Sequence, residues 1–466
     1  MAENVNHATR DERARSERDG RPLGLTAGTD VHADLVTPLA AYLRLREPGE
    51  AGFLLESVEK GRLGRYSLVG SGSRLVALDE AEREAAAGAA VVGYVGYDHV
   101  ARLEPSVPLP DEGGALPETR FVVADTLVRF DHVASVARVL AGDREEVARR
   151  LESALTPSFE GASRGSTERG RRTRRHPGRR EYEARIRRAK EYIRAGDAFQ
   201  IVVSQRAERA TAVSPLSLYR ALRRVNPSPY LFLLELGEVA LVGSSPETLV
   251  RLEPGSPAAG GAARVRRASV NPIAGTTTAG EGDEERLLAS EKDRAEHVML
   301  VDLGRNDLSK VCRPGSVEVR RFLEPERYSH VTHLVSEVTG ELLPQYSPFD
   351  LLRACFPAGT VSGAPKVRAM QIISELEGYR RGPYAGAIGY ALPERRLDGS
   401  HPGVGGPASL DTAIAIRTIV LADGLARLQA GAGVVAGSDP AAEHEECLSK
   451  LAALETAIEL AETSLR

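Results

Sequence analysis

The residues from Asp411 to Lys450 carry the most evident chemistry in the chain. DTAIAIRT alternates like a strand, with Ala413, Ala415 and Arg417 on one face and Ile414, Ile416 and Thr418 on the other. An arginine beside alanines has room around its planar fork, which suits bidentate capture of a carboxylate. A second β-rich run ends in Gly431-Ala432-Gly433, expected as a turn where backbone N–H groups approach an anion closely. Ser438 or Asp439 then reads as a helix N-cap, with Pro440 in the first turn. On that helix Glu443, Glu446 and Lys450 fall at i, i+3 and i+7 and share a face. The mixture fits a small polyanionic acid bound together with a hard cation. The helix by itself also reads as a solvated face carrying an ion pair.

Other elements must hold these groups in place. Tyr182, Ile186, Ala189 and Ile193 mark an amphipathic helix that stops near Gly196. The strand FQIVVSQR, a helix, and the strands YLFLLEL and VALVGSS follow. Arg286 to Leu303 reads as one helix, on which Glu296 can point into an adjoining site; a lone helical glutamate is otherwise a solvent group. Paired with Glu446 it could hold Mg2+, which needs only one or two protein carboxylates beside ligand oxygens and waters. FPAGTVSGAPKVRAM sets a Gly/Ser/Thr-rich loop before a helix N-terminus, a site for a carboxylate or simply a capping loop. PGSPAAGGAA after Glu253 and PERRLDGSHPGVGGP after Leu392 read as surface loops. No βαβ cadence or GxGxxG opening is present, so the expected fold is α/β of the α+β type, with large, mostly antiparallel sheets sandwiched between helices.

At 466 residues with net charge −4, the chain has the size and balance of an ordinary soluble protein of two or three domains. No apolar run reaches membrane-spanning length and the charged N-terminus has no signal-like core, so the expected location is cytoplasmic, without a membrane partner. The three cysteines, Cys312, Cys355 and Cys447, form no metal spacing or disulfide framework. Residues 1–28 read as a disordered leader, 29–157 as a strand-rich N-terminal region, 158–180 as a linker and 181–466 as the catalytic region. The linker holds eight arginines between Arg164 and Arg180 but no interleaved aromatics, which favours a solvated connection over a nucleic-acid patch.

LLES, FQIVVSQR, NPSPYLF, GSSPETLVR, PIAGT, DRAEHVMLVDLGRNDL, RYSHVTHLVSEV, FPAGTVSGAPKVRAM, RGPYAGAIGY, DTAIAIRT, QAGAG and SDPAAEHEE occur in one order. That order resembles the chorismate-utilising enzymes, most closely the large, aminase subunits of anthranilate synthase, from about Leu54 onward. The family adds a nucleophile at ring carbon 2 of chorismate with Mg2+ and expels the hydroxyl at carbon 4; some members then eliminate pyruvate. By motif, the resemblance implies that Glu296 and Glu446 hold Mg2+ against the ring carboxylate, with Glu443 supporting them. It implies that Arg417, Tyr384 and Gly431, Ala432 and Gly433 hold the pyruvyl side chain. Gly275, Thr276, Thr360 and Lys450 would line the rest of the pocket. Glu247 matches the general acid for the leaving hydroxyl, which requires a raised pKa, and His333 matches the histidine tied to pyruvate loss. Glu56, Ser57, Pro229, Tyr230 and Leu231 match the family's tryptophan feedback pocket, although a plain packed contact would look the same.

Members that add water carry a lysine where this chain has Gln200, and members making 4-amino-4-deoxychorismate commonly carry one where it has Ala274. Ammonia needs neither base nor covalent lysine, so the resemblance implies ammonia addition at carbon 2 and then anthranilate, the first step of tryptophan biosynthesis. No cysteine lies in a Gly-x-Cys-x-Gly turn, which implies a separate glutamine amidotransferase subunit and a hetero-oligomer. Thr277-Thr278-Ala279-Gly280 replaces the family's usual RxRG after PIAGT, the link onward to Glu296 is shorter, and Thr332 and Cys447 replace a usual methionine and threonine. Two rivals follow: an aminodeoxyisochorismate synthase that stops before pyruvate loss, and a catalytically inactive homologue.

Overall fold

A computed structural model describes residues 30–32, 35–57, 65–153, 172–257, 264–278, 280, 282–327, 331–393 and 407–464. The leader, most of the arginine-rich stretch and much of the two expected surface loops lie outside the described residues.

Two-residue turns build the first sheet from adjacent segments. At Asp423-Gly424 both φ values are positive, +52° and +71°, the backbone of a tight hairpin turn whose twist matches the flanking strands. It pairs Thr418–Ala422 with Leu425–Val434 in the register Ala422 opposite Leu425. Gly237, at φ +77°, turns Tyr230–Leu236 into Val239–Ser245 in the same way. Among the described residues this sheet has twelve strands, and its central order is Ala51–Glu56, Tyr230–Leu236, Val239–Ser245, Thr418–Ala422, Leu425–Val434, Gln200–Ala210. The second has ten, with Ile273–Thr278, Val331–Glu341, Arg267–Val270, Thr248–Leu252, Pro407–Ile414, Ala387–Pro393 and Val91–Val95 in sequence across it. Every named strand pair is antiparallel, as the composition of the strands suggested. In both sheets the N-terminal strands form one end and the C-terminal strands the other, joined where Ala51–Glu56 pairs with Tyr230–Leu236 and Val91–Val95 with Ala387–Pro393, so the two regions share one framework.

Apolar side chains of both sheets, among them Phe53, Phe232 and Leu241 from the first and Val92, Tyr94 and Val122 from the second, meet in one buried layer. Helices Pro215–Val225 and Pro440–Ser464 cover the outer face of the first sheet through Tyr219, Leu222, Leu454 and Ile458. Helices Glu291–Ser309 and Pro348–Cys355 cover the second through Val301, Leu308 and Leu352. The order is helices, sheet, sheet, helices, which buries one face of every helix and both faces of the central strands.

Four local expectations are corrected. The strand expected to carry Arg417 ends at Ile414, and Arg417 has φ +51° in a bend, so it does not share a strand face with Ala413 and Ala415. Gly431, Ala432 and Gly433 form no turn; they pair in register with Ser204, Val203 and Val202 inside a ten-residue strand. Arg286–Leu303 is two helices, Asp283–Ala289 and Glu291–Ser309, because Ser290 leaves helical geometry and caps the second through Asp293 N. The arginine-rich stretch is not all linker: Arg174–His176 is a strand beside Gln200–Ala210, and Arg179 begins a helix. Asp439 is the N-cap expected for the last helix, its Oδ1 accepting from Ala441 N and Ala442 N.

A buried ion pair ties these layers together. The Arg381 guanidinium meets Glu377 at 2.6 Å with both side chains 1% exposed, and it also donates to Val361 O and Val202 O. Glu377 Oε1 accepts from Ser204 N and Oγ, and the Asp98 carboxylate accepts from Arg381 N and Gly382 N. Breaking one partner of such a pair leaves an uncompensated buried charge, which costs about 3–5 kcal/mol. Glu377→Ala should therefore lower unfolding stability by about that amount in urea titrations. An unchanged midpoint would mean that Arg381 finds solvent once its partner is removed.

Candidate active site

The candidate site sits where two neighbouring segments change sheets together. Ser245-Pro246-Glu247 leads from the first sheet to the second, and Ala415-Ile416-Arg417 leads back. The segments stay bonded through the crossing: Ile414 N donates to Glu247 O at 3.0 Å, and Ser244 N donates to Arg417 O at 3.1 Å. Glu247 and Arg417 are thereby held between the sheets, away from the regular pleat. Burial pushes the Glu247 carboxyl up to about 8, while the Thr360 hydroxyl and the Lys450 ammonium pull the other way. A mostly protonated carboxylic acid at neutral pH is a proton donor. Thr360 lies in the Gly359–Val361 turn and lines a cavity of about 40 Å3 with Glu247. Burial lowers the pKa of the Arg417 guanidinium, which has no carboxylate or hydrogen-bond partner among the described residues; Tyr384 and Glu446 act on it from nearby.

The floor of the site is the strand bearing Gly431 and Gly433, and its glycines are needed as space. A Cβ on Gly433 would lie 2.7 Å from Gln200 Nε2, and one on Gly431 would lie 2.9 Å from the Tyr384 hydroxyl. Their absence lets Gln200, Glu296 and Tyr384 rest against the backbone. Gln200 Nε2 donates to Glu296 Oε1 at 2.8 Å, a contact that the sequence reading missed because it weighed Gln200 only as a base. From the last helix, Lys450 Nζ donates to Gly431 O at 2.8 Å and meets Glu446 at 2.6 Å. The shared helix face of Glu443, Glu446 and Lys450 is thus turned toward the sheet, although the Glu446 side chain stays 51% exposed.

Glu296 and Glu446 arrive from different helices and repel each other. Burial is the main cause that raises Glu296, with Glu446 and Asp293 adding to it and Gln200 and Lys292 opposing. Glu443 is likewise raised by burial, with Glu446 adding to it. Among the described residues no three of His, Cys, Asp and Glu cluster as a metal cage. Carboxylate oxygens that repel each other suit a hard cation completed by ligand oxygens and water. Lys292, one helical turn before Glu296, was also missed; its i, i+4 spacing was the available signal.

On the second sheet His333 stands opposite Thr276, whose side chain lies outside the described residues. The register shifts between Ala274 and Thr276, and Gly275, at φ +70°, turns its carbonyl to His333 Nδ1 at 3.1 Å. A carbonyl only accepts, so Nδ1 carries the proton and Nε2 is the basic nitrogen of the neutral ring. Burial, with Arg417 nearby, holds the His333 pKa below its ordinary value. Glu247, Glu296, Tyr384, Arg417, Glu446 and Lys450 are thus brought together from five parts of the chain, with His333 near enough to feel Arg417.

Glu56, Ser57, Pro229, Tyr230 and Leu231 line a separate cavity of about 70 Å3. Ser57 Oγ is buried there without a hydrogen-bond partner among the described residues, and Glu56 is held by Tyr219 and Arg223. Arg251, Tyr390 and Asp411 complete the wall and were not singled out in the sequence, since the strands that bring them together are far apart in the chain. Tyr230 Oη lies 2.7 Å from the hydroxyl of Thr248, the neighbour of Glu247, so the two cavities share a wall.

Comparison with known proteins shows the family and the fold. The family model described as chorismate binding enzyme matches residues 67–456. The chain is similar to anthranilate synthase component 1 of Thermus thermophilus, at 42% identity over 93% of this chain and 97% of that protein. It is also similar to that of Streptomyces coelicolor, at 42% identity over 92% and 88%. Among solved structures, anthranilate synthase component I from Streptococcus pneumoniae superposes with TM-score 0.70 at 31% identity, covering 91% of this chain and 98% of that one. The menaquinone-specific isochorismate synthase of Escherichia coli, at 22% identity and TM-score 0.67 over 91% of each chain, shares the fold.

The folded chain holds the Glu247 proton up to about pH 8, whereas the unfolded chain releases it near 4.5. In that window the native state binds more protons, so its stability falls as pH rises from the lower value through the higher. Glu247→Gln should flatten this decline between about pH 5 and pH 8 in urea unfolding. An identical slope in the variant would show Glu247 to be ionised in the fold.

Proposed function

This chain belongs to the chorismate-binding enzyme family, and we propose that it is the large subunit of an anthranilate synthase, converting chorismate and ammonia to anthranilate and pyruvate. The observation that carries the reading is the pairing of a buried, mostly neutral Glu247 with an Arg417 guanidinium that has no partner among the described residues, in one cleft. The similarity to component 1 proteins over nearly the whole chain supports it.

Arg417 is suited to take the carboxylate of the enolpyruvyl side chain, with the Tyr384 hydroxyl and the bare backbone at Gly431 and Gly433 fitting around it. Glu247 would donate its proton to the hydroxyl leaving carbon 4 as ammonia attacks carbon 2. Gln200 stands where a water-activating lysine would be needed and cannot remove a proton from water, which supports ammonia as the nucleophile. Once the amine is in place, the basic Nε2 of His333 suits removal of the proton on carbon 2. The C–O bond to the side chain then breaks, pyruvate leaves and the ring becomes aromatic. That role favours the complete reaction over one that stops at the aminated intermediate.

Glu296 and Glu446 are the residues that would hold Mg2+, with Glu443 behind them. Bound there, Mg2+ would neutralise the ring carboxylate and draw electron density toward it. Lyase chemistry of this kind needs neutral ammonia. All three cysteines are buried, and burial pushes the Cys312 thiol up to about 11 and the Cys447 thiol up to about 12. None is a poised thiolate for glutamine hydrolysis, which supports a separate glutamine amidotransferase partner in a hetero-oligomer. No helix among the described residues is long and apolar enough to cross a membrane, in keeping with a cytoplasmic role. We assign L-tryptophan, as an inhibitor, to the position of Glu56, Ser57 and Tyr230, where the buried Ser57 hydroxyl and the Asp411 carboxylate offer groups to an amino acid and the cavity of about 70 Å3 would have to widen to admit the indole.

With chorismate, Mg2+ and ammonium at alkaline pH, the purified chain should form anthranilate and pyruvate in equal amounts, read by fluorescence and a coupled pyruvate assay. Glutamine should substitute only after an amidotransferase subunit is added. Accumulation of an aminated, non-aromatic product without pyruvate would replace this reading with the truncated reaction, and no turnover would reject both.

Ser57→Phe should fill the second cavity and raise the tryptophan concentration needed for half-inhibition by more than about tenfold. Chorismate turnover should stay within about twofold, since Ser57 touches none of the catalytic groups. Unchanged inhibition, with tryptophan still bound in calorimetry, would locate the inhibitor elsewhere.

A further inference from the structure

Beyond Tyr384 the chain builds a second polar chamber, of about 170 Å3, that the catalytic reading leaves unused. It lies on the same face of the first sheet as Gly431: Arg427 and Gln429 precede that glycine at steps of two, opposite Glu208 and Arg206. Tyr384 and Arg381 form the wall toward the catalytic cleft, and Thr418, next in the chain after Arg417, lines the chamber. An engineered protein cavity of about 150 Å3 takes up benzene, so this volume suits a three-carbon acid.

The lining is rich in guanidinium groups, and not all of them are satisfied. Arg206 meets Glu112 at 2.6 Å and stacks over the Tyr379 ring, and Arg381 is paired with Glu377. Arg380 donates Nε to Pro110 O and has no carboxylate partner among the described residues. Arg427 Nε faces Glu208 at 3.5 Å, but its Nη1 is buried with no hydrogen-bond partner. Glu112, Glu208, Glu377 and Asp98 match the four arginines in number, so the feature that sets the chamber apart is the unbonded Nη1 of Arg427. A buried guanidinium nitrogen with no partner among the described residues is costly, and a carboxylate in the chamber would satisfy it with a charge-assisted bond.

We propose that this chamber is a second binding site, for a small carboxylate, and that the acid it takes up is the pyruvate released by the reaction. The assignment of the acid rests on the anthranilate synthase reading, in which the pyruvyl carboxylate is held at Arg417 and Tyr384. Once its bond to the ring breaks, the freed acid lies across Tyr384 from a chamber lined by guanidinium groups. The chamber then keeps the product away from the Arg417 guanidinium that the next substrate needs.

The test is equilibrium binding of pyruvate to the full-length resting protein by calorimetry, together with pyruvate inhibition of ammonium-dependent turnover. Arg427→Gln should weaken pyruvate binding at the chamber by about tenfold or more, the loss expected for one charge-assisted hydrogen bond. Arg427→Lys should recover part of the affinity, and KM and kcat for chorismate should stay within about twofold in both variants. Equal pyruvate affinity in the parent and Arg427→Gln would overturn the proposal, as would pyruvate binding abolished by Arg417→Ala alone. Inorganic phosphate is the control anion: binding of phosphate but not pyruvate through Arg427 would overturn the carboxylate assignment. Failure of the parent to make anthranilate would strike the catalytic reading instead, while the binding measurement still reports on the chamber.

Discussion

The rest of the site depends on two antiparallel segments changing sheets side by side without losing their hydrogen bonds. A strand within a sheet presents its side chains perpendicular to the pleat, where they meet the next layer. At the crossing, Glu247 and Arg417 escape that constraint and stand in the gap between sheets. The bonds from Ile414 N to Glu247 O and from Ser244 N to Arg417 O keep the backbone polar groups satisfied through the crossing. The left-handed φ of Arg417 is the local strain of this arrangement, and the flanking ladders hold it in place.

Burial does two opposite things in this molecule, and the difference is partnership. Arg381 and Glu377 are buried together with their remaining polar atoms bonded, so the pair ties a helix end to the sheet. Glu247 is buried with no ion pair, and the low-dielectric surroundings outweigh the pull of Lys450 and Thr360 and keep it protonated. Glu296 and Glu443 are intermediate cases, raised by burial and by the nearby Glu446 but eased by Gln200, Ser438 and nearby lysines. The same sheets and helices thus hold a rigid ion pair, a protonated carboxyl and a group of repelling carboxylates within one region.

Two further cavities adjoin the candidate site across single side chains. Tyr230 reaches Thr248 beside Glu247, and Tyr384 separates Arg417 from the arginine-lined chamber.

Much of this was legible in the chain itself, where the physics is local. Alternating apolar residues, the Asp423-Gly424 turn and the Asp439-Pro440 cap specify strands, a hairpin and a helix start within a few residues. The i, i+3, i+7 spacing set Glu443, Glu446 and Lys450 on one helix face, and the ordered motifs carried the family and its reaction. Position in space was another matter. Gly431 to Gly433 read as a turn because glycines favour turns, yet they are a strand whose missing side chains make room for Gln200, Glu296 and Tyr384. Arg417 read as a strand residue because alternation runs through it, yet the crossing bends the chain there. The pKa of Glu247, the Gln200–Glu296 bond and the guanidinium-lined chamber depend on residues far apart in sequence. Desolvation and close approach are properties of packed layers, so only the tertiary structure decided them.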